Sequence, residues 1–307
     1  MSYSPEELQV YLFAAAEDGD RLVIQHNIFK AGFLKILEQV LEQYGLANRL
    51  EAARAAKTKL RILDIGCAEG LYLHDVAEVL EARGLLEAAQ FNGIDLNVGA
   101  ISTAEEFCQQ SNPPRPYLNF YVHDASMPLE DCLGLRQEGK TEFDFIYLNA
   151  TLEHLHNARQ HLARFYQALK PGGVIYLWDA VTEESEEGWQ APHPLLTPLA
   201  HQFNRLIMEA NQGLMVCRET AGWLTEMGAE QVQATNLAQP IGGTTPGGRQ
   251  MLRNSVMMVR NGLPQMVSRG IMSQAQADEL MATLHRDLSP ASSGYQSWVS
   301  TLARKPL

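Results

Sequence analysis

The chain has 307 residues, 46% of them hydrophobic and 20% charged, with a formal net charge of -12. This is a globular composition, long enough for one enlarged domain or two small ones. The acidic balance disfavours a nucleic-acid partner, no Lys/Arg block reverses it locally, and no apolar run reaches membrane-spanning length. Met1 to Asp20 is acidic and lacks the basic and apolar regions of a secretory signal. Cys67, Cys108, Cys132 and Cys217 have no Cys-x-x-Cys spacing and read as free thiols of a reducing compartment. A cytoplasmic location is expected.

Phe29, Phe33, Ile36, Leu37, Val40 and Leu41 recur at helical spacing, which predicts an N-terminal helical cap with Gln25-His26 just ahead of it. Arg61 to Gly66 reads as a buried strand. A helix striped by Leu73, Val76, Ala77 and Leu80 follows and stops near Gly84. Phe91 to Asp95 is a second strand, with a helix through about Cys108. Ser111 to Pro116 is a breaker, and Leu118 to Val122 a third strand ending at His123-Asp124. Phe143 to Leu148 is a fourth strand ending at Asn149, before a helix carrying Leu162, Phe165, Tyr166 and Leu169. Lys170 to Gly173 reads as a turn into a fifth strand, Val174 to Trp178. Glu183 to Glu187 is an acidic loop. Helices are expected over Leu195–Asn211, Glu219–Met227, Met251–Val259 and Ala275–Leu284. Strands are expected over Glu230–Leu237 and Tyr295–Ala303, with Ile241–Gly248 a loop.

Strand–helix alternation implies a parallel sheet covered on both faces. Ligands of such sheets bind beyond the carboxyl ends of the strands, where Asp64, Asp95, Asp124, Asn149 and Asp179 would converge. The segment Leu63-Asp64-Ile65-Gly66-Cys67-Ala68-Glu69-Gly70 is a strand, a tight glycine loop and a helix start. It lets backbone N–H groups approach a nucleoside-containing ligand closely. A nicotinamide dinucleotide is the rival ligand. Its G-x-G-x-x-G fingerprint meets Ala68 and Leu71 here, which argues against a dehydrogenase.

With Asp64, Gly66 and Gly70 in place, this segment resembles motif I of class I S-adenosylmethionine-dependent methyltransferases, with Ala68 at the usual middle glycine. The resemblance covers about residues 60 to 180. It continues through Gly93-Ile94-Asp95-Leu96-Asn97, His123-Asp124-Ala125, Asn149 to His154, and the turn Lys170 to Gly173. It implies a Rossmann-like α/β fold, doubly wound, with a seven-stranded, mostly parallel sheet whose last strand is antiparallel. A helical N-terminal cap (1–56), a cofactor-binding core (57–182) and lid helices with the remaining strands (183–307) follow from it.

It also implies S-adenosylmethionine as cofactor, held by Asp64, Gly66, Cys67, Ala68, Gly70, Asp95, Leu96, Asp124, Ala125 and Asn149. Asp95 would take the ribose hydroxyls or cap the next helix. Asp124 would lie near the adenine amino group or belong to a turn. His154 is the candidate base for an acceptor proton, with Glu153 second and plain helix capping as the other reading. His156 and His161 are assigned to a solvated helix face, and His193 and His201 to a lid. Trp178, Trp189 and Phe203 line an acceptor pocket or pack the core. Arg249 and Arg253 meet an acidic acceptor or face solvent. No metal-ligand spacing is evident.

The expected reaction is methyl transfer to oxygen or nitrogen of a small metabolite, of the kind found in secondary metabolism. An RNA- or protein-directed methyltransferase, a dehydrogenase and a non-catalytic partner subunit are the alternatives. A homodimer is allowed.

Overall fold

The computed structural model describes residues 19–111, 114–137, 141–181, 189–192, 196, 208–209, 211–268, 270–287 and 292–307. Helices α1 (Gly19–Glu42) and α2 (Leu46–Ala55) precede β1 (Leu60–Ile65), α3 (Leu71–Ala82), β2 (Ala89–Asp95), α4 (Val98–Gln110) and β3 (Leu118–Val122). Next come α5 (Leu133–Gln137), β4 (Phe143–Asn149), α6 (Ala158–Gln167), β5 (Leu169–Ala180) and the two-residue β6 (Trp189–Gln190). The chain then forms α7 (Val216–Glu226), β7 (Glu230–Gly242), α8 (Pro246–Ser268), α9 (Gln274–Asp287) and β8 (Ser293–Arg304).

The sheet runs β3-β2-β1-β4-β5-β8, with β7 on the far edge of β8 and β6 extending the near edge. β1 to β5 are parallel, and β8 is antiparallel to both β5 and β7. This is the mostly parallel, doubly wound sheet that the strand–helix alternation predicts. Side-chain alternation splits its core in two. Ile62, Phe91, Phe145, Tyr147 and Tyr176 face α1 to α4, and Leu63, Ile65, Ile146, Leu148 and Leu177 face α6 and α7.

Two ties hold the layers in register. The Asp144 carboxylate, almost fully buried at the amino end of β4, takes Lys170 Nζ at 2.7 Å, the Arg61 N–H at 2.8 Å and the Arg49 guanidinium. Within the helical layer, Asp75 of α3 meets His26 Nε2 at 2.7 Å and Lys30 Nζ at 2.6 Å, both on α1. Gln25-His26 therefore lies inside the first helix, not ahead of it.

The turn expected over Lys170–Gly173 is a bulge within β5. Leu169 already pairs with Phe143, and pairing resumes at Val174 with Phe145. Gly172 turns the chain at φ 73° and its carbonyl accepts from Arg49 at 2.7 Å. β7 extends to Gly242 and α8 begins at Pro246, so the expected loop over Ile241–Gly248 shrinks to residues 243–245. Most of the helix expected over Leu195–Asn211 lies outside the described residues, as do Glu183–Glu187, His193, His201, Phe203 and the side chain of Trp189. Among the described residues, no helix is long and apolar enough to cross a membrane.

Candidate active site

The order of β1 and β4 reverses the winding of the sheet, so a crevice opens at their carboxyl ends. The first wall is the loop after β1. The Gly66 and Cys67 N–H groups both donate to the Ile94 carbonyl, at 2.8 and 3.0 Å, and Gly70 N–H closes on the Cys67 carbonyl at 2.8 Å. This tight path needs left-handed backbone at Gly66 (φ 74°), Ala68 (φ 47°) and Gly70 (φ 73°).

Ala68 adopts the conformation that its glycine counterpart would take without strain. A left-handed L-residue costs roughly 1 kcal/mol. Replacing Ala68 with glycine is therefore expected to raise stability by somewhat under about 1 kcal/mol, after the entropy that glycine adds to the unfolded chain. Urea denaturation of the Ala68→Gly variant checks this, and a lower midpoint would contradict it.

Asp95 ties the loop to the second strand. Its Oδ2 accepts from Ala68 N–H at 2.8 Å and its Oδ1 from Asn97 N–H at 2.8 Å. Helix capping falls instead to Asn97, whose Oδ1 accepts from Gly99 and Ala100 N–H. Burial raises the Asp95 pKa, while these N–H groups hold it down. Leu96, beside it, is 39% exposed at the rim. Asp124 closes its own turn, Oδ1 accepting from Ser126 N–H at 2.7 Å and Oδ2 from Ser126 Oγ at 2.6 Å. Ala125 lies in that turn and packs on the core.

Asp64 is buried inside β1, on the face it shares with Ile62 and Tyr147. Burial pushes its carboxyl well above the usual range, the nearby Tyr147 hydroxyl only partly offsets this, and the Asp95 charge adds to the rise. Asp64 Oδ2 has no hydrogen-bond partner among the described residues, and neither does the Asn149 amide nitrogen. Buried polar atoms of this kind call for a ligand or water.

The far wall is the turn after β4. Ala150 is left-handed (φ 48°), and its N–H reaches the Trp178 carbonyl at 2.6 Å. Thr151 N–H and Glu153 N–H donate to Asp179 Oδ1 at 3.1 and 3.4 Å. Glu153 and Asp179 are thus two buried carboxyls in one site. Burial, with the Asp179 charge second, pushes Glu153 well up; burial lifts Asp179 to about 7 against its backbone donors. His154 Nε2 lies 3.8 Å from Glu153 Oε1. Burial and the Arg21 charge lower His154 to about 4, so it is a neutral imidazole at pH 7.

The residues expected at the crevice stand on adjacent strand ends. Asp64, Gly66, Cys67, Ala68 and Gly70 belong to β1 and its loop. Asp95 and Leu96 stand at β2, Asp124 and Ala125 past β3, and Asn149, Glu153 and His154 at β4. His161, expected on a solvated face, is buried on α6 against the Arg164 guanidinium, which with burial lowers it to about 4. Trp178 is a core residue stacked on Trp298. Arg249 and Arg253 are exposed on α8. Sequence reasoning missed Arg21, buried on α1 beside the β4 turn. Its spacing from Phe29, eight residues on, was the available signal. Among the described residues, no group of three His, Cys, Asp or Glu side chains is placed to hold a metal.

At its switch point this sheet carries a glycine loop and strand-end acids. Residues 63–175 match the family model described as a methyltransferase domain. The chain is 27% identical over 157 residues to trans-aconitate 2-methyltransferase of Deinococcus radiodurans, covering 51% of this chain and 50% of that protein. It is 26% identical over 156 residues to carboxy-S-adenosyl-L-methionine synthase of Aliivibrio fischeri, covering 50% and 57%. The chain thus spans about half the length of these relatives. The solved plantazolicin methyltransferase BpumL superposes with a TM-score of 0.46 at 16% identity, over 98% of this chain and 96% of that one.

Proposed function

We propose that this chain transfers the methyl group of S-adenosylmethionine to an oxygen or nitrogen of a small-molecule acceptor, a secondary metabolite being the expected kind. The observation that carries the reading is the Gly66–Gly70 loop, closed on Asp95 through Ala68 N–H, beside buried Asp64 and Asn149 atoms without partners among the described residues. The residues fit the cofactor's chemistry. Asp95 retains lone pairs for the ribose hydroxyls, and Leu96 offers an apolar face to the adenine, with Asp124 and Ala125 at its edge. Asp64 suits an ammonium and Asn149 a carboxylate, the two charged groups of a methionyl tail.

When bound, the cofactor supplies a methyl group on a sulfonium, which is already a good leaving group. The chain's own task is to place a nucleophile and exclude water. Glu153 has the higher proton affinity and His154 the lower, so it is Glu153, in its ionised form, that takes the proton of a hydroxyl acceptor and becomes the neutral acid. Neutral His154 accepts a hydrogen bond and orients the acceptor. This reverses the order expected from unperturbed proton affinities.

Titration calorimetry of the full chain with S-adenosylhomocysteine tests the reading. We expect binding at micromolar concentrations and none by nicotinamide dinucleotide. Preference for the dinucleotide, or no binding of either, would overturn it.

A further inference from the structure

Asp64 of β1 pairs with Gly93 of β2 on one side and with Tyr147 of β4 on the other. Paired residues of parallel neighbours carry their side chains on one face, on strands roughly 5 Å apart. The β2 side offers no side chain of its own. A Cβ on Gly93 would lie 2.8 Å from both Cys67 Sγ and Phe120 Cδ1, so those two side chains fill the place. On the β4 side stands Tyr147, fully buried, with the rings of Phe145 and Phe33 at 5.2 and 5.4 Å between centroids. Two residues further along the same strands, on the same face, come Gly66 and Asn149 at the crevice. Asp64 and Tyr147 therefore lie side by side, one step below the crevice floor.

Both groups are unmatched. Asp64 Oδ2 and Tyr147 Oη have no hydrogen-bond partner among the described residues. After burial, the groups that act most on Asp64 are the Tyr147 hydroxyl and the Asp95 charge, and neither is a cation. The other titratable groups facing it are the Cys67 thiol and the Tyr72 phenol. Asp75, on α3, is already matched by His26 and Lys30 of α1. Leaving a buried donor and acceptor unsatisfied is costly. Packing alone asks only for another phenylalanine at Tyr147, like Phe145 and Phe33 beside it. The hydroxyl finds its use once Asp64 ionises, because a carboxylate can accept from the phenol and still offer lone pairs to a cation.

We propose that Tyr147 is a positioning residue for cofactor binding: its hydroxyl donates to the Asp64 carboxylate and holds it for the ammonium of the methionyl tail. Before binding, the buried Asp64 carboxyl keeps its proton. When the ammonium arrives that proton leaves to solvent, the carboxylate forms, and the Tyr147 O–H and the ammonium N–H groups share its oxygens. The inference rests on the methyl-transfer reading and adds to it the residue that sets the preference for the amino-acid end of the cofactor.

The test titrates the full chain by calorimetry with S-adenosylhomocysteine and with methylthioadenosine, which keeps the adenosine and the sulfur but lacks the amino-acid end. The unmodified chain is expected to bind S-adenosylhomocysteine at least ~10-fold tighter. Tyr147→Phe keeps the ring, and should cut that preference at least ~3-fold while methylthioadenosine binds as before. The preference should rise with pH as Asp64 ionises. In Tyr147→Phe the rise should move to higher pH, because the hydroxyl lowers the Asp64 pKa and its loss raises it. In an Asp64→Asn background, Tyr147→Phe should cost nothing further. A merely structural Tyr147 would weaken both ligands alike and leave the pH profile in place. That result, an unchanged preference, or a further loss in the Asp64→Asn background would overturn the proposal. Should Tyr147→Phe fail to fold, the proton count decides. In two buffers of different ionisation enthalpy, the unmodified chain should release a proton on binding S-adenosylhomocysteine and none on binding methylthioadenosine, and equal release would overturn the proposal. Binding of neither ligand would sink the methyl-transfer reading and this inference together. Intact binding with the preference unmoved in Tyr147→Phe would sink this one alone.

Discussion

Replacing Gly66 with alanine is expected to cost about 3 kcal/mol of stability and to lower S-adenosylhomocysteine affinity at least ~10-fold. Two costs add. The residue sits at φ 74°, where an L side chain is strained by roughly 1 kcal/mol or more. An added Cβ would also lie 2.3 Å from Thr151 Oγ1 and 2.6 Å from Thr151 Cγ2. Overpacking of this kind costs roughly 1–3 kcal/mol. Thr151 has little room to yield. Its Oγ1 donates to the Asn149 carbonyl at 3.0 Å and its N–H to Asp179 at 3.1 Å. Relief must come from the loop after β1 or the turn after β4, and these are the two walls of the crevice.

Chemical denaturation and calorimetry on the same preparation separate the effects. Gly70→Ala should behave alike, because its Cβ would meet the Phe120 ring at 2.4 Å. Ala68→Gly, in the same loop, should instead keep ligand affinity. A Gly66→Ala protein of unchanged midpoint that binds like the parent would show that the loop is not under this constraint.

The parts of the site legible in the sequence are those set by short spacing. A glycine loop directly after an apolar run, and acids directly after later apolar runs, need no tertiary information beyond the parallel sheet that brings their ends together. The sheet follows from the same alternation, and β1 to β4 fall where periodicity places them, while β5 starts earlier, at Leu169. What escaped depends on contacts between distant segments. Asp179 was expected on the same rim as Asn149, but its pairing with Glu153 was not, since it follows from the neighbouring of β4 and β5 and not from the spacing of 26 residues between them. Trp298 reaches Trp178 through antiparallel pairing of β8 with β5. Arg21 lies far from His154 in sequence, so the effect of its charge on that imidazole is not legible from spacing. Ala68 was readable as a small stand-in for glycine. Its left-handed backbone was not, since that follows from the hydrogen bonds of the loop on both sides.

The acid pair makes the second large prediction, and its sign is opposite to that of most core substitutions. Asp179 is 1% exposed with its carboxyl lifted to about 7 in the folded chain, against about 3.9 for an ordinary aspartate. A raised folded value means that the native state holds the proton more tightly than the unfolded one. The associated stability is fully present below pH 4 and is lost as pH rises towards 7. At about 1.4 kcal/mol per unit, the loss is on the order of 4 kcal/mol. Asparagine keeps the shape and a carbonyl oxygen for the Thr151 and Glu153 N–H groups, and it cannot ionise. Its amide nitrogen also replaces an oxygen that repels Glu153, whose Oε2 has no partner among the described residues. Asp179→Asn should therefore match the parent near pH 4 and exceed it by roughly 3 kcal/mol at pH 8. Glu153 should titrate lower in the variant, because the neighbouring negative charge is gone. Denaturation midpoints at pH 4, 6 and 8 measure the divergence. A gap that stays constant across that range, or a variant weaker than the parent at pH 8, would mean that Asp179 is already ionised at little cost and that the two carboxyls do not compete for a proton.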